Sequence, residues 1–310
     1  MISVGQIQAM TNYTKLSTRP INSIAQVYNI LQIAISGGDR VFKLINETDE
    51  YVNTNNDKLG EINGQIEFKN VSFGYEDTSY VLDDITFNAK AGEMIAIVGP
   101  TGGGKTTIIN LLMRFYDPQK GQITLDDVPI NNLSKDYLRQ NIGIVLQTTY
   151  LFKGTVLDNI RYGKSDASIE EVIEAAKSAH VHEIIERLPR KYDTRVKEGG
   201  INFSHGERQL IAIARAILAN PKVLILDEAT SSVDTRTEIN IQKSIAQLIK
   251  NRTSFVIAHR LQTIRNADKI LVIKNGKIIE QGSHDNLISK KGFYYELYNT
   301  QFSVEKKSDL

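Results

Sequence analysis

Gly99-Pro100-Thr101-Gly102-Gly103-Gly104-Lys105-Thr106-Thr107 stands between the apolar run Met94-Ile95-Ala96-Ile97-Val98 and the stretch Ile108-Ile109-Asn110-Leu111-Leu112. It matches G-x-x-x-x-G-K-[ST] at every fixed position, and its flanks predict a strand before it and a helix after it, the context the pattern requires. Glycines let the backbone curl so that successive N–H groups point at one anion, and the following helix adds the positive end of its dipole. The nine residues therefore read as a phosphate-binding loop. Lys105 would reach the terminal phosphates of a nucleotide, with the Thr106 hydroxyl on Mg²⁺. A Gly-rich turn that merely joins strand to helix would account for the glycines but not for Lys-Thr at this offset.

Outward from the loop, the whole chain sets bounds. Its 310 residues suffice for one large domain or two smaller units. Lys and Arg number 37 against 36 Asp and Glu, a net charge of +1. That balance gives no global electrostatic footprint for nucleic acid or an anionic membrane surface. The chain has no cysteine, which excludes disulfides, thiolate catalysis and Cys-ligated zinc and fits a reducing compartment. No apolar run approaches the ~20 residues of a membrane-spanning helix. The first residues also lack the layout of a secretory signal.

Upstream, residues 1–46 read as helix, with Pro20 opening a second segment in which Ile21, Ile24, Val27, Tyr28, Leu31 and Ile35 recur at three- and four-residue spacing. Ile30, Ile33 and Ala34 widen that face, so the arm calls for partners on more than one side. Residues 47–63, rich in Asp, Glu, Asn and Thr, read as a solvated linker. From Gly64 onward Ile66, Phe68, Val71, Phe73 and Tyr75 alternate with polar residues, slipping by one at Asn70, which predicts a half-buried strand with a bulge. Tyr75 is either an ordinary strand-end tyrosine or a platform for an adenine ring, and position alone favours the former.

Downstream, residues 122–125 read as a short strand, and Ser134 caps a helix through Leu138. A strand over 142–146 then ends at Gln147. Ligands bind at the carboxyl edge of an open α/β sheet, so Gln147 is either solvated or within reach of Mg²⁺ or an attacking water. Residues 155–188 are mostly helical, with Ser168 and Glu171 as a capping box. Their His180 and His182 lack the further ligands that a metal site needs. Ser204 and Glu207 form another capping box, which is a sufficient structural explanation by itself; the functional alternative is that a helix opening with Ser204 and Gly206 exposes N–H groups and a hydroxyl as a second anion site.

Val223-Leu224-Ile225-Leu226 is apolar throughout, as in a buried parallel strand, and ends in Asp227-Glu228. Two carboxylates there are costly unless paired or placed on a metal. Asp227 would hold Mg²⁺, directly or through water, and Glu228 would orient or deprotonate a water facing the terminal phosphate. A helix over 237–249 and a strand over 254–258 follow. The strand ends at His259, which is either structural or in contact with a terminal phosphate. Asn275-Gly276 is a strong hairpin signal, and two short helices come after it.

The phosphate loop, Gln147, Ser204-His205-Gly206-Glu207, Asp227-Glu228, Asp234 and His259, in that order, resemble the ATP-binding cassette (ABC) family over residues 64–302. The resemblance implies an α/β fold: a P-loop NTPase core with a mostly parallel sheet, an antiparallel β subdomain and a helical subdomain inserted at about 148–220. Before it come the helical arm, 1–46, and the linker, 47–63; after it comes a tail, 303–310. It also implies roles. Tyr75 stacks on adenine, Gln147 is the Q-loop, Glu228 the catalytic base and His259 the switch histidine, with Lys105 on the phosphates. Gly99 to Thr107, Ser204, Gly206, Glu207 and Asp234 then bind ATP, and Thr106, Gln147 and Asp227 serve Mg²⁺.

Residues 147–155 and 227–237 look like the exporter branch of that family. The segment 194–200 is similar to the exporters' short loop that meets the membrane domain, with Glu198 as its acidic contact. Residues 12–40 look like the end of a last membrane helix and its cytoplasmic extension. These likenesses imply an ATPase at the cytoplasmic face of a membrane, closing head to tail with a second ABC ATPase domain over two ATP–Mg²⁺ and coupled to an exporter's transmembrane domain. Nucleic acid is not an expected partner. The alternatives are a soluble ABC ATPase uncoupled from transport and a nucleotide-binding fragment that is silent without its membrane half. One departure is plain: Phe203, His205 and Glu207 replace the first, third and fifth residues of the family's Leu-Ser-Gly-Gly-Gln, while Ser204 and Gly206 remain.

Overall fold

The computed structural model describes residues 3–47, 60, 62–76, 79–146, 148–228, 235–258 and 261–301. The chain divides into two compact units, residues 1–52 and 53–310. The first is a single helix, α1 (Val4–Ile45), opened by a reciprocal cap between Ser3 and Gln6. The break expected at Pro20 does not occur, because Pro20 lies inside the helix. Proline removes one N–H donor, and a helix of 42 residues carries that single loss without ending. No residue of α1 is buried, so Ile21, Ile24, Val27, Tyr28 and Leu31 present their apolar surface outward.

The second unit begins with β1 (Ile66–Phe73), β2 (Leu82–Ala89), β3 (Met94–Val98), α2 (Lys105–Leu112), β4 (Lys120–Leu125) and β5 (Val128–Pro129). Next come α3 (Lys135–Asn141), β6 (Ile142–Val145), β7 (Gly154–Thr155), α4 (Val156–Arg161), α5 (Ile169–Ser178), α6 (His182–Glu186), β8 (Arg195–Val196) and α7 (His205–Ala219). The remainder is β9 (Val223–Glu228), α8 (Thr235–Ile249), β10 (Thr253–Ala258), α9 (Leu261–Arg265), β11 (Lys269–Lys274), β12 (Lys277–Gly282), α10 (His284–Lys290) and α11 (Phe293–Gln301).

The main sheet has the order β12-β11-β3-β10-β9-β6, parallel except for the edge strand β12. Its central parallel strands are mostly apolar because both faces are covered. On β3 and β9, Ile95, Ile97, Val223 and Ile225 enter one core, which also holds Ile108, Leu111 and Leu112 of α2. Their neighbours Ala96, Val98, Leu224 and Leu226 enter the other, with Leu210, Ile213 and Ala214 of α7. This period of two puts a helix on each side of one sheet, so that α2 and α7 are fixed by opposite faces of the same strands.

A second, antiparallel sheet has the order β2-β1-β4-β5. The slip expected at Asn70 is there: register shifts between Phe68 and Val71, and Asn70 adopts φ +50°. Asparagine tolerates that left-handed conformation. Strand β2 was not anticipated from the sequence, although Leu82, Ile85, Phe87 and Ala89 are buried along it. Helices α4 to α7 are inserted between β6 and β9. The boxes at Ser168–Glu171 and Ser204–Glu207 form as predicted. His182 is structural, its Nδ1 lying 2.8 Å from the Tyr192 hydroxyl. Burial pushes that phenol up to about 12, so it stays protonated. Among the described residues no helix is long and apolar enough to cross a membrane.

Candidate functional site

Parallel pairing brings the ends of four strands to one edge. Asp227 on β9 pairs with Ile257 on β10, which pairs with Ile97 on β3; Glu228 pairs with Ala258, and Leu226 with Val145 on β6. Gly99 begins one residue beyond the end of β3. The phosphate loop and the Asp227-Glu228 pair thus meet at the carboxyl edge of the sheet, where ligands of open α/β folds bind. Gln147, Asp234, His259 and the side chain of Glu228 lie outside the described residues.

Two glycines of the loop are required by space as well as by backbone angle. A Cβ on Gly99 (φ +149°) would collide with the Ile273 carbonyl, and one on Gly104 (φ +105°) would come within 2.6 Å of Leu82 Cδ2. From behind, the β11–β12 turn braces the loop: the Gly276 N–H donates to Gly103 O at 3.2 Å, while Asp83 N–H donates to Gly276 O at 2.9 Å. Gly104 precedes α2 with no side-chain cap. The first bond of that helix runs from Ile108 N–H to Gly104 O. The N–H groups of Lys105, Thr106 and Thr107 come before it and have no intrahelical acceptor, which is the requirement for an anion site.

Lys105 Nζ donates to Gly99 O and Pro100 O, each at 2.9 Å, folding the side chain back over its own loop. Burial lowers its pKa, opposed by the charge of Asp227, which places that carboxylate within electrostatic reach of the ammonium. Thr106 contributes an exposed hydroxyl at the start of α2. One hydroxyl, one carboxylate and one ammonium around uncapped N–H groups suit a polyphosphate carrying a hard divalent cation. Among the described residues no group of three or more His, Asp or Glu side chains is arranged to hold a metal by itself.

Tyr75 stands just beyond β1, half open to solvent. Its ring meets Phe73 and Tyr116 at right angles, with centroids 5.1 Å away in each case. Its hydroxyl receives a hydrogen bond from Asn110 Nδ2 at 3.0 Å and lies 3.3 Å from Thr107 Oγ1. Asn110 and Tyr116 were not singled out from the sequence. The only signal available was that Asn110 follows Thr107 by three residues, the spacing of one helical face.

At the start of α7, Ser204 Oγ accepts from Glu207 N–H at 3.2 Å and Glu207 Oε2 accepts from Ser204 N–H at 2.8 Å. The serine proton and the Gly206 N–H take no part in this box. His205, half-buried, has its Nδ1 shielded and without a hydrogen-bond partner among the described residues. A cavity of ≈ 390 Å³ opens beside Ser204 and Glu207, also lined by His180, Glu183, Arg187 and Asn240. A second, of ≈ 350 Å³, is lined by Leu146, Tyr150, Phe152, Tyr162 and Arg215. The Tyr150 hydroxyl donates to Glu198 at 3.3 Å, so the segment 194–200 is tied to that groove.

The sequence pattern of the ABC transporter family matches residues 82–231. The chain is 51% identical over 302 residues to an uncharacterized ABC transporter ATP-binding protein, YfiC, of Bacillus subtilis, covering 97% of this chain and 50% of the relative. It is 47% identical over 288 residues to an ATP-dependent lipid A-core flippase of Syntrophus aciditrophicus, covering 93% of this chain and 48% of that protein. A solved structure of a bacterial Atm1-family ABC exporter with ATP bound superimposes with a TM-score of 0.79 at 40% identity, over 97% of this chain and 53% of its own. The chain spans about half the length of the curated relatives it matches. The chain therefore carries an ATP-binding domain of the ABC transporter type.

Proposed function

We propose that this chain binds and hydrolyses ATP with Mg²⁺ and drives an exporter. Its ATPase domain spans residues 64–302, with the helical subdomain at about 148–220, and the arm 1–46 continues from a transmembrane domain at the cytoplasmic face of a membrane. The observation that carries this reading is the uncapped start of α2, with Lys105 across it and the Asp227-Glu228 strand end beside it. The relatives named as a flippase and an exporter support the coupling to transport.

In this reading Tyr75 stacks on the adenine and Gly99 to Thr107 cradle the phosphates. Lys105 leaves the carbonyls of Gly99 and Pro100 for the terminal phosphates, exchanging two neutral acceptors for charged ones. Thr106, Asp227 and Gln147 would hold Mg²⁺, which would supply neutralisation of phosphate charge. Glu228 takes a proton from water as the water oxygen bonds to the γ-phosphorus. The bond to the β-phosphate oxygen breaks, and ADP and inorganic phosphate leave. His259 steadies the terminal phosphate. Ser204, Gly206 and Glu207 complete the site of a second ABC ATPase domain, whose own residues complete this one, with Asp234 at the junction.

Glu228→Gln tests the assignment. ATP binding is expected to persist while phosphate release slows by about 10²–10⁴, the range of a positioned general base. Unchanged turnover in that variant would remove Glu228 from the chemistry.

A further inference from the structure

The phenol of Tyr75 is tied to the same helix that opens the phosphate loop. Asn110 Nδ2 donates to its oxygen at 3.0 Å, which leaves the phenolic proton for Thr107 Oγ1, 3.3 Å away. Thr107 belongs to the loop motif and Asn110 stands on the next turn of α2, the two sharing one face of the helix. On its other sides the ring meets the buried Phe73 and the half-exposed Tyr116, themselves 5.4 Å apart. Those two rings hold the tyrosine edge-on while half of its surface stays in solvent. Tyr75 also has two polar tethers, and both originate on α2.

We propose that Asn110 is a positioning residue for the nucleotide base: acting through Tyr75, it fixes the base platform at a set distance from the phosphate loop before nucleotide arrives. The proposal rests on Tyr75 as the base platform. Its physical content is preorganisation. A ring held in place does not have to be ordered when the ligand binds, so the gain is in affinity and only for ligands that carry a base. Asn110 itself touches neither base nor phosphate in this scheme.

The test is calorimetric titration of the full chain with two probes, ATP–Mg²⁺ and tripolyphosphate–Mg²⁺, the second having phosphates and no base. Asn110→Ala is expected to weaken ATP binding about three- to tenfold, the range of one neutral hydrogen bond, and to leave tripolyphosphate binding unchanged. Tyr75→Phe, which removes both tethers, is expected to weaken ATP at least as much, and the double variant no further than Tyr75→Phe alone, because the phenol is the only group through which Asn110 acts. The proposal is overturned if Asn110→Ala leaves ATP binding as it was, if it weakens both probes equally, or if its effect adds to that of Tyr75→Phe. Wild-type chain that binds neither probe would overturn the nucleotide site itself, and the proposal with it.

Discussion

Helices α2 and α7 lie on opposite faces of one sheet and begin in opposite ways. At α2 the residue before the helix is left-handed Gly104, with no side chain to cap it, and the first N–H groups are left over. At α7 the residue before the helix is Ser204, and a reciprocal box with Glu207 closes the end. Both helices face the same problem of unpaired N–H donors. One solves it within the chain and the other leaves it for a ligand. In the proposed function an end that serves phosphate is left open, whereas the end offered to a second domain carries its own cap. The serine does both jobs: it accepts from Glu207 N–H while keeping a proton to donate.

This contrast can be broken by substitution on each side. Lys105→Ala strikes the open end and is expected to weaken ATP binding by about 10- to 100-fold, the worth of charge-assisted hydrogen bonds, as read by calorimetry on the single chain. Ser204→Ala strikes the closed end and should cost stability instead. Loss of such a cap is worth about 1 kcal/mol, a fall in melting temperature of about 2–4 °C for a domain of this size. The affinity of the single chain for ATP should stay at the wild-type value. A loss of ATP affinity in Ser204→Ala comparable to that in Lys105→Ala would erase the distinction between the two ends.

The elements that carry this contrast were legible because they are local. The loop motif needs only its own nine residues and its flanks, and the boxes at Ser168 and Ser204 need a four-residue window. The strand ending in Asp227-Glu228 was legible from its unbroken apolar run, since burial on both faces removes alternation. What the sequence did not show is long-range. Gly276 braces Gly103 across 173 positions of chain, and the hairpin signal at Asn275-Gly276 says nothing about what the turn touches. Strand β2 is held by contacts far away in the chain: Asp83 is tied to Gly276, and Asp84 takes φ +57°. Pro20 sets no boundary, because local steric preference does not end a helix that loses only one bond. The tether from Asn110 to Tyr75 joins a helix to a strand end 35 residues earlier, and no spacing rule reaches that far.

The central claim is that the open end of α2 and the closed end of α7 belong to one site built from two chains. It is tested most directly by the mass of the Glu228→Gln chain in solution, by light scattering with and without ATP–Mg²⁺. The account predicts a single chain without nucleotide and a mass that doubles with it. A chain that stays single at saturating ATP, or one that is paired without nucleotide, would contradict it.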